Sequence, residues 1–171
     1  KKDETVELFL QVNKDLAKLD FIPVYNFMMG FPNETNEEMM MTVDLALKMI
    51  HDNPNARIAG FYTFAPYPGT ELFSIAVSHG FQPPTTLEGW IDYTRHHNLT
   101  PWLKGKENML KNITFTSKFV DGKRMKVFFN NNNMIKLVVN AYGKYNQFMW
   151  KRHKFERRFD VDFAEFISRK L

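Results

Sequence analysis

The sequence predicts an α/β chain: a segment of parallel sheet or barrel over residues 1–100, then a basic, mainly α-helical region over 101–171. Two nearly continuous apolar runs, Phe21–Met29 and Arg57–Ala65, read as strands buried on both faces, the pattern of a parallel sheet. A helical periodicity lies between them, and strand–helix–strand is a βαβ unit, almost always right-handed. Beyond Lys104 the patterning is mostly helical. A barrel typically takes eight strands and about 250 residues, so residues 1–80 are a segment of one and not a closed fold.

Each element has its own signal. Lys1–Leu19 places Val6, Phe9, Leu10, Leu16 and Leu19 on one helical face. Asp3 and Glu4 supply the negative charge that a helix start favours, and Asp20 ends it. Pro23 belongs at the start of its strand, because it cannot donate to a ladder. Gly30-Phe31-Pro32-Asn33-Glu34 is a turn. Thr35 and Glu38 make a capping box for a helix with Met40, Val43, Leu47 and Ile50 on its stripe, and Asn53-Pro54-Asn55 stops that helix. After Arg57–Ala65, the rigid loop Pro66-Tyr67-Pro68-Gly69 leads to Thr70, which caps a short helix Glu71–His79; Gly80 supplies its left-handed end. Pro83-Pro84 signals a linker, and Leu87–His97 is a short helix with Trp90 and Tyr93 on its apolar face. Leu110–Val120 fits two patterns: Ile113 and Phe115 alternate as in a strand, while Leu110, Ile113, Phe119 and Val120 fit a helix. Asn130–Asn133 reads as a helix break, Ile135–Phe155 as the longest helix, and Asp162–Leu171 as a final short one.

Composition narrows the function. The 171 residues are 44% hydrophobic with 17 Phe, ample for a globular core. The absence of cysteine excludes disulfides and thiolate-held metals in this chain. No run approaches the roughly 18 apolar residues of a membrane-spanning helix and no signal peptide opens the chain, so a cytoplasmic location is the expectation. The net charge of +4 hides an asymmetry: residues 1–100 carry −6 and residues 101–171 carry +10. Two differently charged halves suggest two structural units.

Phe27-Met28-Met29-Gly30-Phe31-Pro32-Asn33-Glu34-Thr35 resembles the hydrophobic-Gly-Phe-Pro-Gly-Glu-Thr signature of radical-SAM enzymes. Gly60-Phe61-Tyr62-Thr63-Phe64-Ala65-Pro66-Tyr67-Pro68-Gly69-Thr70-Glu71-Leu72 resembles the next strand and loop of that superfamily, one strand–helix–strand step further on. His79-Gly80-Phe81 and Leu87-Glu88-Gly89-Trp90 resemble the continuation in the subgroup with a cobalamin-binding domain ahead of the barrel. The resemblance implies a partial radical-SAM (TIM-like) barrel in which residues 1–80 supply the fifth and sixth strands. It also implies a mechanism. A 4Fe-4S cluster, held by a Cys-x-x-x-Cys-x-x-Cys motif, reductively cleaves S-adenosylmethionine to a 5′-deoxyadenosyl radical that attacks the substrate, while the protein positions and shields the radical. Those cysteines are absent here, so the expectation is a fragment of a longer Fe–S oxidoreductase or transferase, inactive by itself; cobalamin is a further cofactor the subgroup would allow.

The resemblance also implies roles. A polar residue at the position of Asn26 reaches the ribose hydroxyls of S-adenosylmethionine; the competing reading is a core amide satisfied by backbone. Gly30 ends the strand where barrel sites are built, and its missing Cβ permits close approach of cofactor or backbone. Asn33 stands where the family has Gly and tolerates the same turn. Glu34 is expected to hold the loop through backbone amides. Phe64, Ala65 and Pro66 lie near the adenine in the family, although for Phe64 ordinary core packing is the stronger reading. Tyr62 and Tyr67 are candidates to face substrate. His96-His97 points two ways around a helix and reads as a surface pair; Asp160 and Asp162 read as helix N-terminal charge. No catalytic residue and no metal ligand is assigned.

The alternative function is a non-catalytic basic module that binds an anionic membrane surface or RNA. Its signal is Lys151-Arg152-His153-Lys154 and Arg157-Arg158 interleaved with Phe148, Trp150, Phe155 and Phe159. The competing and favoured reading docks those aromatics on the barrel and turns the charges to water. Expected partners are a small-molecule or lipid-like substrate and, through open strand edges, a second copy of the chain.

Overall fold

The computed structural model describes residues 4–96, 100–122 and 133–168. Helix α1 (Val6–Leu16) is followed by strand β1 (Val24–Met29), helix α2 (Asn36–Asp52) and strand β2 (Arg57–Thr63). Helices α3 (Glu71–Ser78) and α4 (Leu87–His96), a single 3₁₀ turn at Pro101–Leu103, and helices α5 (Glu107–Val120), α6 (Asn133–Trp150) and α7 (Phe159–Ser168) complete the order. The chain is therefore mixed α/β, with a two-stranded parallel sheet followed by helices.

Local chemistry starts the helices where the sequence places them. Thr5 caps α1 through Leu8 N–H, Thr35 and Glu38 form the reciprocal box on α2, and Thr70 caps α3 through Phe73 N–H. Gly80 closes the turn after α3 with φ at +89°. Leu110–Val120 resolves as helix, because its apolar residues meet the sheet at helical spacing. Of the expected break Asn130–Asn133, residues 130–132 lie outside the described residues, as does His97, and Asn133 is the first residue of α6.

β1 and β2 pair in register from Val24↔Arg57 to Met29↔Thr63, with an irregularity between Tyr25 and Asn26. One face of the sheet is covered. Phe27 stacks on Phe61 at 4.8 Å, and Trp150 meets Phe61 edge-on at 5.1 Å. Met29, Met39, Val43, Ile58, Ile113, Val120 and Phe155 fill the same core, which α2, α5 and α6 close together. Trp150 is held there by its indole N–H on Thr116 Oγ1 at 2.9 Å, and Asn112 Nδ2 donates to the Phe155 carbonyl at 2.6 Å. A smaller aromatic cluster joins Ala76, Phe81 and Tyr93 to Phe73, Trp90 and Trp102.

The sequence expectation of strands buried on both faces needs correcting. β1 alternates, with Val24 and Met28 exposed and Tyr25 and Phe27 half-buried, and Tyr62 of β2 is exposed on the same side as Met28. A sheet hides a second face only when another layer covers it, and no described residue does so here. The helix faces are also displaced. α2 buries Met39, Val43, Ala46 and Met49, with Met40, Leu47 and Ile50 at the margin. On α1, Val6 and Phe9 are exposed, and the fully buried residue is Asn13. Its Nδ2 donates to the Met49 carbonyl at 2.9 Å and its Oδ1 accepts from Tyr25 Oη at 3.0 Å, so α1 is fastened to the sheet by an amide.

The two sheet edges differ. Along β2, the N–H groups of Ile58 and Phe61 donate to Oδ2 of Asp121, the C-cap of α5, and to Oγ of Ser117 within it, at 3.1 and 3.3 Å. Helix α5 thus closes that edge with side-chain acceptors. Along the outer edge of β1, away from β2, no further strand is paired among the described residues.

Candidate functional site

The C-terminal ends of β1 and β2 lie together, and their following loops form one rim. Phe64 N–H donates to the Met29 carbonyl at 2.8 Å, which extends the pairing past the last strand residues. At Gly30 the backbone turns out of the sheet with φ at +83°, a conformation that costs other residues about 1–2 kcal/mol. The Glu34 carboxylate folds back and accepts from the N–H groups of Gly30 and Phe31. Trp102 Nε1 donates to the Gly30 carbonyl at 2.9 Å. A Cβ built on Gly30 would stand 3.2 Å from Leu103 Cδ1 and 3.3 Å from Thr63 Cγ2. The close approach that this glycine permits is therefore taken by the protein's own side chains.

The rings of Phe31 and Phe64 stack at 4.9 Å across the rim, and Phe64 and Pro66 are buried. Gly30, Glu34 and Phe64 are thus brought into one assembly, and Pro66 opens the loop behind it. Asn26 stands apart. It lies in mid-strand on the uncovered face, in register with Gly60, and its neighbour pair on that face is Met28 with Tyr62. The Tyr62 ring lies over Gly60, where an added Cβ would come within 3.4 Å. An exposed carboxamide can donate and accept at once, as a vicinal diol requires. Beside it, along the open edge of β1, runs a cleft of about 290 Å³ lined by Val6 and Phe9 of α1, Tyr25, Asn26 and Met28 of β1, and Leu45 of α2.

Below the rim, burial and then the neighbouring Tyr67 push the Tyr93 hydroxyl up to about 12, so it stays neutral at ordinary pH. No cluster of three or more His, Asp or Glu side chains suited to a metal ion occurs among the described residues.

The basic segment divides. Trp150 and Phe155 are buried in the core, whereas Phe148 and Phe159 are exposed, and Lys151, Arg152, Lys154 and Arg157 face solvent. Arg158 is the exception that sequence reading missed. It is buried, its Nε and Nη2 donate to the two Asp160 oxygens at 2.9 and 2.7 Å, and Nη2 also donates to Asn146 Oδ1. Tyr142 Oη adds a bond to Asp160 at 2.7 Å. Burial would push the Asp160 carboxyl up, but Arg158 and Tyr142 more than offset it and hold it below the usual carboxylate range. Asp160 and Asp162 do stand in the first turn of α7.

Trp102 and Leu103 were likewise not legible as rim residues, because their contact with Gly30 crosses more than seventy positions. Asn13 carried a usable signal: it is a polar residue three places from Leu10 and Leu16, inside an apolar helical stripe.

Comparison with known proteins adds one distant likeness. No family model matches the chain, and no solved structure does. An uncharacterized methyltransferase of Pyrococcus horikoshii is 26% identical over 151 residues, covering 88% of this chain and 29% of that protein. The chain thus spans less than a third of the relative's length.

Proposed function

We propose that this chain is the closing part of a radical-SAM barrel, and that the complete protein uses S-adenosylmethionine to modify its substrate. Methyl transfer is the reaction class favoured, because the similar Pyrococcus protein is described as a methyltransferase. One observation carries the reading: the asymmetry of the two sheet edges. α5 seals β2 with Ser117 and Asp121, so the sheet ends there. β1 has an apolar cleft along its unpaired edge and exposes Val24, Met28 and Tyr62 on the face that a barrel would enclose. A sheet finished on one side and open on the other is suited to continuation by preceding strands.

The residues fit S-adenosylmethionine and do not fit its usual partner cluster. Asn26 offers one donor and one acceptor to the ribose hydroxyls from the enclosed face. Glu34 keeps the Gly30 turn in place, while Phe64 and Pro66, both buried, are the apolar backing behind the rim on the adenine side. A four-iron cluster needs thiolates, and this chain has none, so it is held by other residues and no step here runs through it. When bound, S-adenosylmethionine supplies the reactive carbon. This chain's own part is to hold the nucleoside and keep water from the rim. Cobalamin use remains part of the proposal only as the subgroup's additional cofactor.

The test uses the complete gene product, purified without oxygen and with iron and sulfide restored. With S-adenosylmethionine and a reductant it is expected to form 5′-deoxyadenosine or S-adenosylhomocysteine. Asn26→Ala is expected to weaken S-adenosylmethionine binding about tenfold, the value of one or two hydrogen bonds, without changing the melting temperature. A complete protein that neither binds nor consumes S-adenosylmethionine would overturn the reading. So would stoichiometric iron and sulfide bound by the isolated chain.

A further inference from the structure

Helices α6 and α7 each bury one face and leave a second one bare. Trp150 of α6 and Val161 of α7 go to the core, with Phe155 from the turn between them. Left outside are Val138, Tyr145 and Phe148 on α6, with Phe159 and Phe163 on α7 the most exposed rings at 81% and 65%. On α6 these positions are seven and then three apart, which is one stripe of a helix. On α7 the two phenylalanines are four apart and share a face. The helices meet at this surface: Arg158 lies 5.5 Å from the Tyr145 ring, and Tyr142 reaches Asp160 in the first turn of α7.

A single exposed aromatic needs no explanation, but a basic-rimmed run of them across two helices marks a binding surface. The rim is Lys144, Lys151, Arg152, Lys154 and Arg157, all exposed, in the half of the chain that carries +10. Arg152 lies over the Phe148 ring at 4.0 Å, so cation and ring occupy the same patch of surface.

We propose that this α6–α7 surface docks on an anionic lipid bilayer, with its phenylalanines at the headgroup–acyl boundary and its lysines and arginines on the phosphates. Charge complementarity names the sign of the partner, and the apolar content names its kind. Leu137 and Val138 prolong the stripe with aliphatic side chains. An acyl boundary accepts these, whereas nucleobases need flat rings to stack on. The helices lie in the plane of the surface, and no described helix is long and apolar enough to cross a membrane. The inference is independent of the S-adenosylmethionine reading.

The test is co-sedimentation of the purified complete gene product with vesicles of phosphatidylcholine alone or with about one third phosphatidylglycerol, at low and raised salt. Binding is expected on the anionic vesicles, with little on the neutral ones, and it weakens as salt rises. Lys151→Gln with Lys154→Gln is expected to lower partitioning about thirtyfold, from about fivefold per charge at the surface. Phe159→Ser with Phe163→Ser is expected to lower it as well, with the far-ultraviolet dichroism unchanged. Equal binding to both vesicles, binding to neither, or tighter binding to single-stranded RNA than to anionic vesicles would overturn the proposal. The wild-type comparison decides even where a variant fails to fold.

Discussion

Replacing Asp160 by Asn leaves a buried guanidinium without its carboxylate. Arg158 has no exposed side-chain surface, and Asp160 retains only 20%. Two parallel bonds at 2.9 and 2.7 Å join them, with Tyr142 Oη on the same carboxylate at 2.7 Å. Removing one partner of such a pair typically costs about 3–5 kcal/mol, because the remaining charge stays desolvated. A domain of this kind has only about 5–15 kcal/mol to lose. Equilibrium urea unfolding, followed by tryptophan fluorescence, is expected to show a midpoint lowered by roughly 1–3 M. The double variant Arg158→Met/Asp160→Ala removes both charges and is expected to stay within about 2 kcal/mol of the parent, leaving only the Tyr142 and Asn146 groups to rehydrate. The pH dependence carries the same information. Asp160 is held below its unfolded value of about 3.9, so its contribution is present above that pH and is lost as pH falls through the folded pKa. The parent should therefore lose stability in acid more steeply than Asp160→Asn does. A cost below about 1 kcal/mol for the Asn variant, or a double variant as unstable as the summed singles, would refute the reasoning.

Gly30→Ala is expected to lower the melting temperature by roughly 2–8 °C, because φ is +83° and the new methyl group meets Leu103 and Thr63; an unchanged melting curve would show that the rim yields freely. Asn13→Ala, which takes the acceptor from the Tyr25 hydroxyl and leaves the Met49 carbonyl only the Asn53 N–H, should cost about 1–3 kcal/mol in urea unfolding, while Gln11→Ala on the exposed side of the same helix should cost under about 0.5. Equal effects would remove the amide from the account of how α1 is fastened. In alkali, Tyr93 and Tyr142 ionise only near about 12 in the folded chain, mainly through burial, against about 10 when unfolded. Their raised values add stability that is fully present below about pH 10 and is lost as pH climbs toward 12, a decline that Tyr142→Phe should flatten. A midpoint that is independent of pH across that window would contradict it.

The elements were legible because their signals are local. Thr5, Thr35 and Thr70 cap helices through contacts three residues away, and Gly80 needs only its own φ. The parallel pairing followed from two apolar runs separated by a helix, since a βαβ crossover leaves little topological freedom. Periodicity was less informative about burial. It identified helices at α1 and α2 but turned each face slightly wrong, because a helix's buried side depends on which neighbours approach it. At the candidate site, the Gly30–Glu34 turn could be read from adjacent residues, whereas its cover by Trp102 and Leu103 could not.

By itself, then, the sequence determined which stretches are helix or strand, Leu110–Val120 excepted, and where the turns between them lie. These are decided within a few residues by capping, φ preference and apolar spacing. Tertiary structure alone decided three things: that Ser117 and Asp121 seal one sheet edge while the other has no further strand among the described residues, that Arg158 is buried within a run of surface charges, and that two phenylalanines face out while Trp150 and Phe155 face in. Each depends on groups distant in sequence meeting in space, and no local preference encodes which of several similar side chains will be desolvated.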